Sequence, residues 1–116
     1  MTLIARLNPG PGSSLRGPVP HGVQIRWEFE HLRKADLISF WFCREALQPI
    51  ALYELGAWSM TGKPIVIGIE PGYARELDVR VQTALVRPSG VPVAGTLEDL
   101  ANEIKRFEPG LRSHSA

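Results

Sequence analysis

Cysteine, histidine and excess charge are all scarce in this chain, and each shortage removes a class of function. Cys43 is the only cysteine. It cannot form an internal disulfide, which fits a reducing cytoplasm. Its setting, Phe40-Trp41-Phe42-Cys43, suits a small buried hydrophobe better than a nucleophile. His21, His31 and His114 have no ligand-like spacing, so no metal site is expected. With 13 basic and 12 acidic side chains the formal net charge is +1, and no basic run exceeds Arg33-Lys34. Such a chain has no field for gathering nucleic acid or an anionic membrane. No apolar run approaches ~18 residues, and neither a membrane span nor a signal peptide is read. Familiar catalytic motifs are missing too. Met60-Thr61-Gly62-Lys63-Pro64 leads into a strand, the wrong context for a phosphate loop, and Gly10, Gly12 and Gly17 do not match a dinucleotide fingerprint. No serine lies in a Gly-x-Ser-x-Gly elbow.

What is present reads as one domain of ordinary composition, large enough for a single core at 116 residues. Its expected extent is residues 1–108, with 109–116 a small, polar, frayed tail. Leu3–Leu7 reads as a short strand, and the stretch Asn8–Gly22, rich in Gly, Pro and Ser, as a long loop. Gln24–Ala35 has Ile25, Phe29 and Leu32 at helical spacing, with Trp27 off that stripe. Leu37–Phe42 and Pro64–Ile69 are continuously apolar, as expected of inner strands covered on both faces. Between them a helix opens on Pro49 and is expected to end near Gly62. Glu76–Val86 is the next helix, and Val91-Pro92-Val93 a short edge strand. Thr96 with Asp99 forms a capping-box-like start to a final amphipathic helix through Leu97, Leu100, Ala101 and Ile104. Alternation of strand and helix argues for a parallel α/β sheet with helices on both faces. Ligands in such sheets bind beyond the carboxyl ends of the strands. The long loop after the first strand and the segment Cys43–Gln48 are expected at that edge.

One carboxylate stands out. Glu54 lies in the uncharged run Pro49–Trp58, on the helix face it shares with Ile50 and Trp58. Apolar neighbours one turn to either side imply burial, which a lone carboxylate tolerates only when paired or used. The competing reading is a structural ion pair. Glu28 borders the buried stripe of the preceding helix, beside Trp27 and Phe29, and on pattern alone is better read as a surface glutamate.

The runs Ala35–Phe42, Pro49–Gly56 and Gly62–Val66, in this order and spacing, closely resemble the nucleoside 2-deoxyribosyltransferase-like family. Its signature is an Ala-Asp strand, a Glu-Leu-Gly helix and a Gly-Lys-Pro run leading into a strand. Asn8-Pro9, Gln24-Ile25-x-Trp27-Glu28 and Tyr73-x-Arg75-x-x-Asp78-Val79 look like further pieces of a subgroup pattern. The resemblance implies a flavodoxin-like fold, no cofactor, and Glu54 as catalytic nucleophile. It implies Glu28 as the acidic group that meets the base, and Asn8, Trp27, Gln48 and Gly56 as substrate-binding positions. It also implies a small-molecule nucleoside or nucleotide substrate and a homodimer or higher homo-oligomer. Two departures accompany it. The chain starts at what looks like the family's second strand, without the first strand and helix. Gln48 stands where classical transferases carry an aspartate, six residues before the nucleophile. The expected reaction is transfer of a 2-deoxyribosyl group between nucleobases through a glutamyl-sugar intermediate. Hydrolysis of deoxynucleosides or their 5′-phosphates, and a non-catalytic nucleotide-binding module, are the alternatives.

Overall fold

The computed structural model describes residues 2–5 and 20–114, with side chains for 20–107. Its elements are β1 (Thr2–Ala5), α1 (His21–Lys34), β2 (Leu37–Phe42), α2 (Pro49–Ser59), β3 (Ile65–Ile69), α3 (Glu76–Val86), β4 (Val93–Ala94) and α4 (Leu97–His114). The strands form one sheet in the order β1-β2-β3-β4. Strands β2, β3 and β4 are parallel, with Phe40 opposite Ile67 and Ile67 opposite Val93. Every residue of β2 and β3 is buried, as their unbroken apolar character requires. The fold is thus an α/β, flavodoxin-like arrangement, with a three-stranded parallel sheet flanked by helices.

Alternation along β2 and β3 sorts side chains to two cores. Ile38, Phe40, Phe42, Ile65, Ile67 and Ile69 point to the face that Leu32 of α1, Leu55 of α2 and Val79 of α3 cover. Leu37, Trp41 and Val66 point to the other face, where α4 lays Leu100 with Ile104 and Phe107. Because β2, β3 and β4 advance in one direction, right-handed crossovers put α2 and α3 on the same side. Gly68 permits the second core: a Cβ there would lie 2.5 Å from Trp41 Cε3 and 3.1 Å from Leu100 Cδ2.

Strand β1 corrects the expectation of a wholly parallel sheet. It pairs antiparallel with β2, Thr2 opposite Phe40 and Ala5 opposite Leu37. Residue periodicity carries no strand direction, and residues 6–19 are enough chain to reach α1 from either edge. The chain therefore leaves β1 beside the start of β2, at the edge opposite Cys43–Gln48. Residues 8–19 of the long loop lie outside the described residues.

The helix ends also differ from the sequence reading. Helix α2 stops at Ser59, short of Gly62. Its last carbonyls are taken by Thr61 Oγ1, which donates to Trp58 O at 2.6 Å, and by Arg87. The Arg87 guanidinium donates to Ser59 O, Trp58 O, Thr61 O and Lys63 O at 3.0, 3.2, 2.8 and 2.6 Å. Lys63 Nζ closes α1 in the same way, donating to Arg33 O and Ala35 O at 2.5 and 2.6 Å, while lying 5.6 Å from the Trp58 ring centre. Side chains thus do the capping that a glycine would otherwise do. The Thr96 cap is formed, with Asp99 N donating to Thr96 Oγ1 at 3.0 Å. Helix α4 runs on to His114, past the expected end at Pro109.

Candidate active site

Beyond the carboxyl end of β2 the chain turns through Cys43–Gln48 into α2. Pro49 takes the first helical position, where its missing N–H is no loss. Gln48, the cap residue, has φ 57° and ψ 55°, in the left-handed region that side chains other than Gly, Asn and Asp rarely adopt. Its Nε2 donates to Cys43 Sγ at 3.0 Å, and its carbonyl accepts from Leu52 N at 3.0 Å. Cys43 is half-buried, packed against the α4 core rather than fully enclosed.

The buried stripe of α2 is Ala51, Leu55 and Ser59. Glu54 flanks it and is half-buried, with Ile50 one turn before it 69% exposed. This corrects the expectation of a fully buried carboxylate: α2 is apolar on faces the fold leaves open. Helix α1 departs from expectation in the same direction. Only Leu32 of its apolar stripe is buried, while Ile25 and Phe29 are each 53% exposed.

Helices α1 and α2 lie side by side on one face of the sheet. Phe29 meets Trp58 with ring centres 5.7 Å apart, and both helices end at Lys63. Glu54 is one turn before Trp58, and Glu28 is next to Phe29, so the two carboxylates belong to neighbouring helices. Glu28 is half-buried and accepts from Gln24 Nε2 at 3.3 Å. Trp27 is 50% exposed, its ring centre 3.6 Å from that of His31.

Gly56 faces elsewhere. Two residues beyond Glu54, it points roughly 200° around the helix. It lines a groove of about 510 Å³ between α2 and α3, together with Leu52, Leu55, Arg75, Val79 and Gln82. Glu54 does not line that groove. A Cβ added at Gly56 would meet nothing within 4 Å, so packing within the chain does not demand glycine there. Asn8 lies outside the described residues. The structure therefore puts Glu54 on α2 and Glu28 and Trp27 on α1, places Gln48 at the head of α2, and sets Gly56 at the α2–α3 groove.

Two residues that pattern reasoning passed over stand behind this arrangement. Tyr73 is buried, its ring centre 5.2 Å from that of Phe42, and its hydroxyl donates to Leu47 O at 2.5 Å. Glu70 Oε1 accepts from Arg44 N at 2.9 Å. The Tyr73-x-Arg75 motif carried the first signal, without saying what the ring would hold. Arg75 and Asp78 of that motif form an exposed pair at 3.5 Å across the first turn of α3.

Among the described residues no group of three or more His, Cys, Asp or Glu side chains is placed to hold a metal ion. No helix formed by them is long and apolar enough to cross a membrane. No curated protein matches the chain. A family model described as nucleoside 2-deoxyribosyltransferase like matches residues 12–73, a little over half of the 116 residues, and spans Trp27, Glu28, Gln48, Glu54 and Gly56. The chain belongs to the nucleoside 2-deoxyribosyltransferase-like family.

Proposed function

We propose that this protein transfers a 2-deoxyribosyl group between nucleobases, with Glu54 as nucleophile. The carrying observation is the position of Glu54: a half-exposed carboxylate in the second turn of the helix that starts beyond β2, within the matched family region. A Glu54 oxygen attacks C1′, and the bond from C1′ to the base nitrogen breaks with its electron pair leaving on the base. Glu28, on the neighbouring helix, gives the departing base its proton. A second base then attacks C1′, the glutamyl ester breaks, and Glu28 recovers a proton from the incoming base. Two displacements at one carbon retain its configuration. Trp27 offers its half-exposed ring to the base. Asn8 and Gln48 are assigned to substrate binding with it. Gly56 stands apart from them, and its bare backbone leaves room for a partner subunit at the α2–α3 groove.

The same half-exposed setting favours water as an alternative acceptor, which makes the protein a hydrolase of deoxynucleosides or their 5′-phosphates. We also place the protein in the cytoplasm as a homodimer or larger homo-oligomer, the assembly supplying cover for the open faces of α1 and α2. Incubation with a deoxynucleoside and a different free base, followed by chromatography, tests the reading. A new deoxynucleoside supports transfer, free deoxyribose supports hydrolysis, and binding without turnover overturns both.

A further inference from the structure

The turn that follows β3 holds the turn that follows β2 at both ends. Pro71 and Gly72 occupy the central positions of Glu70–Tyr73, with Gly72 at φ 98° and Tyr73 N donating to Glu70 O at 3.1 Å. That geometry has the residue pattern of a type II turn and needs glycine at its third position. It projects a carboxylate from one end and a phenol from the other. Glu70 Oε1 accepts the Arg44 amide at 2.9 Å, while Glu70 N donates to Phe42 O at 2.9 Å. Three residues on, the buried Tyr73 hydroxyl donates to Leu47 O at 2.5 Å. Just outside these anchors the loop closes on itself through Gln48 Nε2 and Cys43 Sγ.

We propose that Glu70 and Tyr73 form a clamp that sets the head of α2 and so positions Glu54. The carbonyl that Tyr73 holds immediately precedes Gln48, whose left-handed conformation costs free energy and persists only where its neighbours fix it. The direction in which α2 leaves the sheet follows from that residue. Glu54 lies in the second turn beyond it, so a small rotation at Gln48 displaces the carboxylate bodily. Tyr73 is thus a positioning residue: it acts through Leu47 and Gln48, not on the substrate. The catalytic part of this inference rests on Glu54 being the nucleophile; the mechanical part does not.

Tyr73→Phe keeps the ring against Phe42 and removes only the donor. Amide exchange followed by NMR reads the clamp directly, because Leu52 N donates to Gln48 O whereas Ile67 N donates to Pro92 O in the sheet. Exchange at Leu52 should rise roughly tenfold or more, with Ile67 unchanged, since local opening is separable from global unfolding. In the base-exchange assay kcat should fall about 10- to 100-fold with KM moving much less, the mark of a misplaced nucleophile. Unchanged exchange at Leu52 overturns the clamp, and a normal kcat with altered exchange overturns its positioning role. If the wild type turns nothing over, the proposed reaction fails while exchange still decides the clamp. Should Tyr73→Phe fail to fold, Glu70→Ala releases the other anchor, and faster exchange at Arg44 and Leu52 is then the expected result.

Discussion

Glu54 and Tyr73 make opposite demands on their surroundings. The carboxylate proposed as nucleophile must reach solute, and Glu54 is half-buried on the flank of the buried stripe of α2. A hydroxyl that donates to a backbone carbonyl is best kept from water, and Tyr73 is only 3% exposed. Replacing Glu54 by Gln therefore removes chemistry without opening a core. Turnover should drop by several orders of magnitude, as for nucleophiles that act in concert with other groups, while thermal melting stays close to wild type. A variant that melts much earlier yet keeps its turnover would show Glu54 to be a structural partner instead. At Tyr73 burial raises the phenol's pKa above the usual value; Arg75 pulls it down and Cys43 adds to the rise. An unfolded chain then loses this proton first. The contribution is whole below about pH 10, the ordinary tyrosine value, and is lost as pH rises through the folded one. Urea unfolding at stepped alkaline pH should show a shallower decline for Tyr73→Phe than for wild type. The family motif singles Glu54 out in the sequence, whereas the full burial its apolar neighbours suggest is not what the fold gives it. Neighbouring apolar residues mark burial only where something covers them, and Ile50 is open.

Among the elements, β2 and β3 could be read directly because burial on both faces leaves an unbroken apolar run in the sequence. The direction of β1 could not, since an antiparallel and a parallel edge strand share the same alternation. Helix ends were hidden for a related reason: apart from Thr61, the side chains that cap α1 and α2 come from distant residues. Lys63 lies 28 residues from Ala35 and Arg87 28 residues from Ser59. A local search for a capping glycine therefore settles on Gly62 and misses both. Arg87 binds four carbonyls around the end of α2, tying α3 to the helix that carries Glu54. Hydrogen bonds to a charged donor are each worth roughly 1.5–3 kcal/mol net, less where water competes. Arg87→Ala should cost about 2–3 kcal/mol in total, read as a lower denaturation midpoint with an unchanged slope. A loss below the error of the titration would mean that water serves these carbonyls equally well.

At the scale of the molecule, α1 and α2, the helices that carry the proposed site, leave large apolar side chains open, as α3 also does at Leu77, Val81 and Leu85. On α1, Val23 and Trp27 are 56% and 50% exposed, and Ile25 and Phe29 53% each; on α2, Ile50 and Tyr53 reach 69% and 79%. The first four are two pairs at helical i, i+4 spacing, so they form bands along α1 rather than isolated exposures. Covering them would recover about 25 cal/mol per Å² of apolar area, enough over a standard interface to offset the entropy of association. A second copy is the simplest cover, because a symmetric pair buries the same bands twice. Sedimentation at micromolar concentration should accordingly give a dimer or a larger closed assembly. Ile25→Glu places a charge within the α1 band without touching Leu32 or the sheet, and should shift the distribution toward monomer while circular dichroism stays unchanged. Turnover should fall with dissociation if the partner helps to enclose the substrate beside Trp27, and raising the concentration of the variant should restore part of it. A wild type that sediments as a monomer would overturn the association, and would leave α1 exposing more apolar surface than a solitary domain of this size needs.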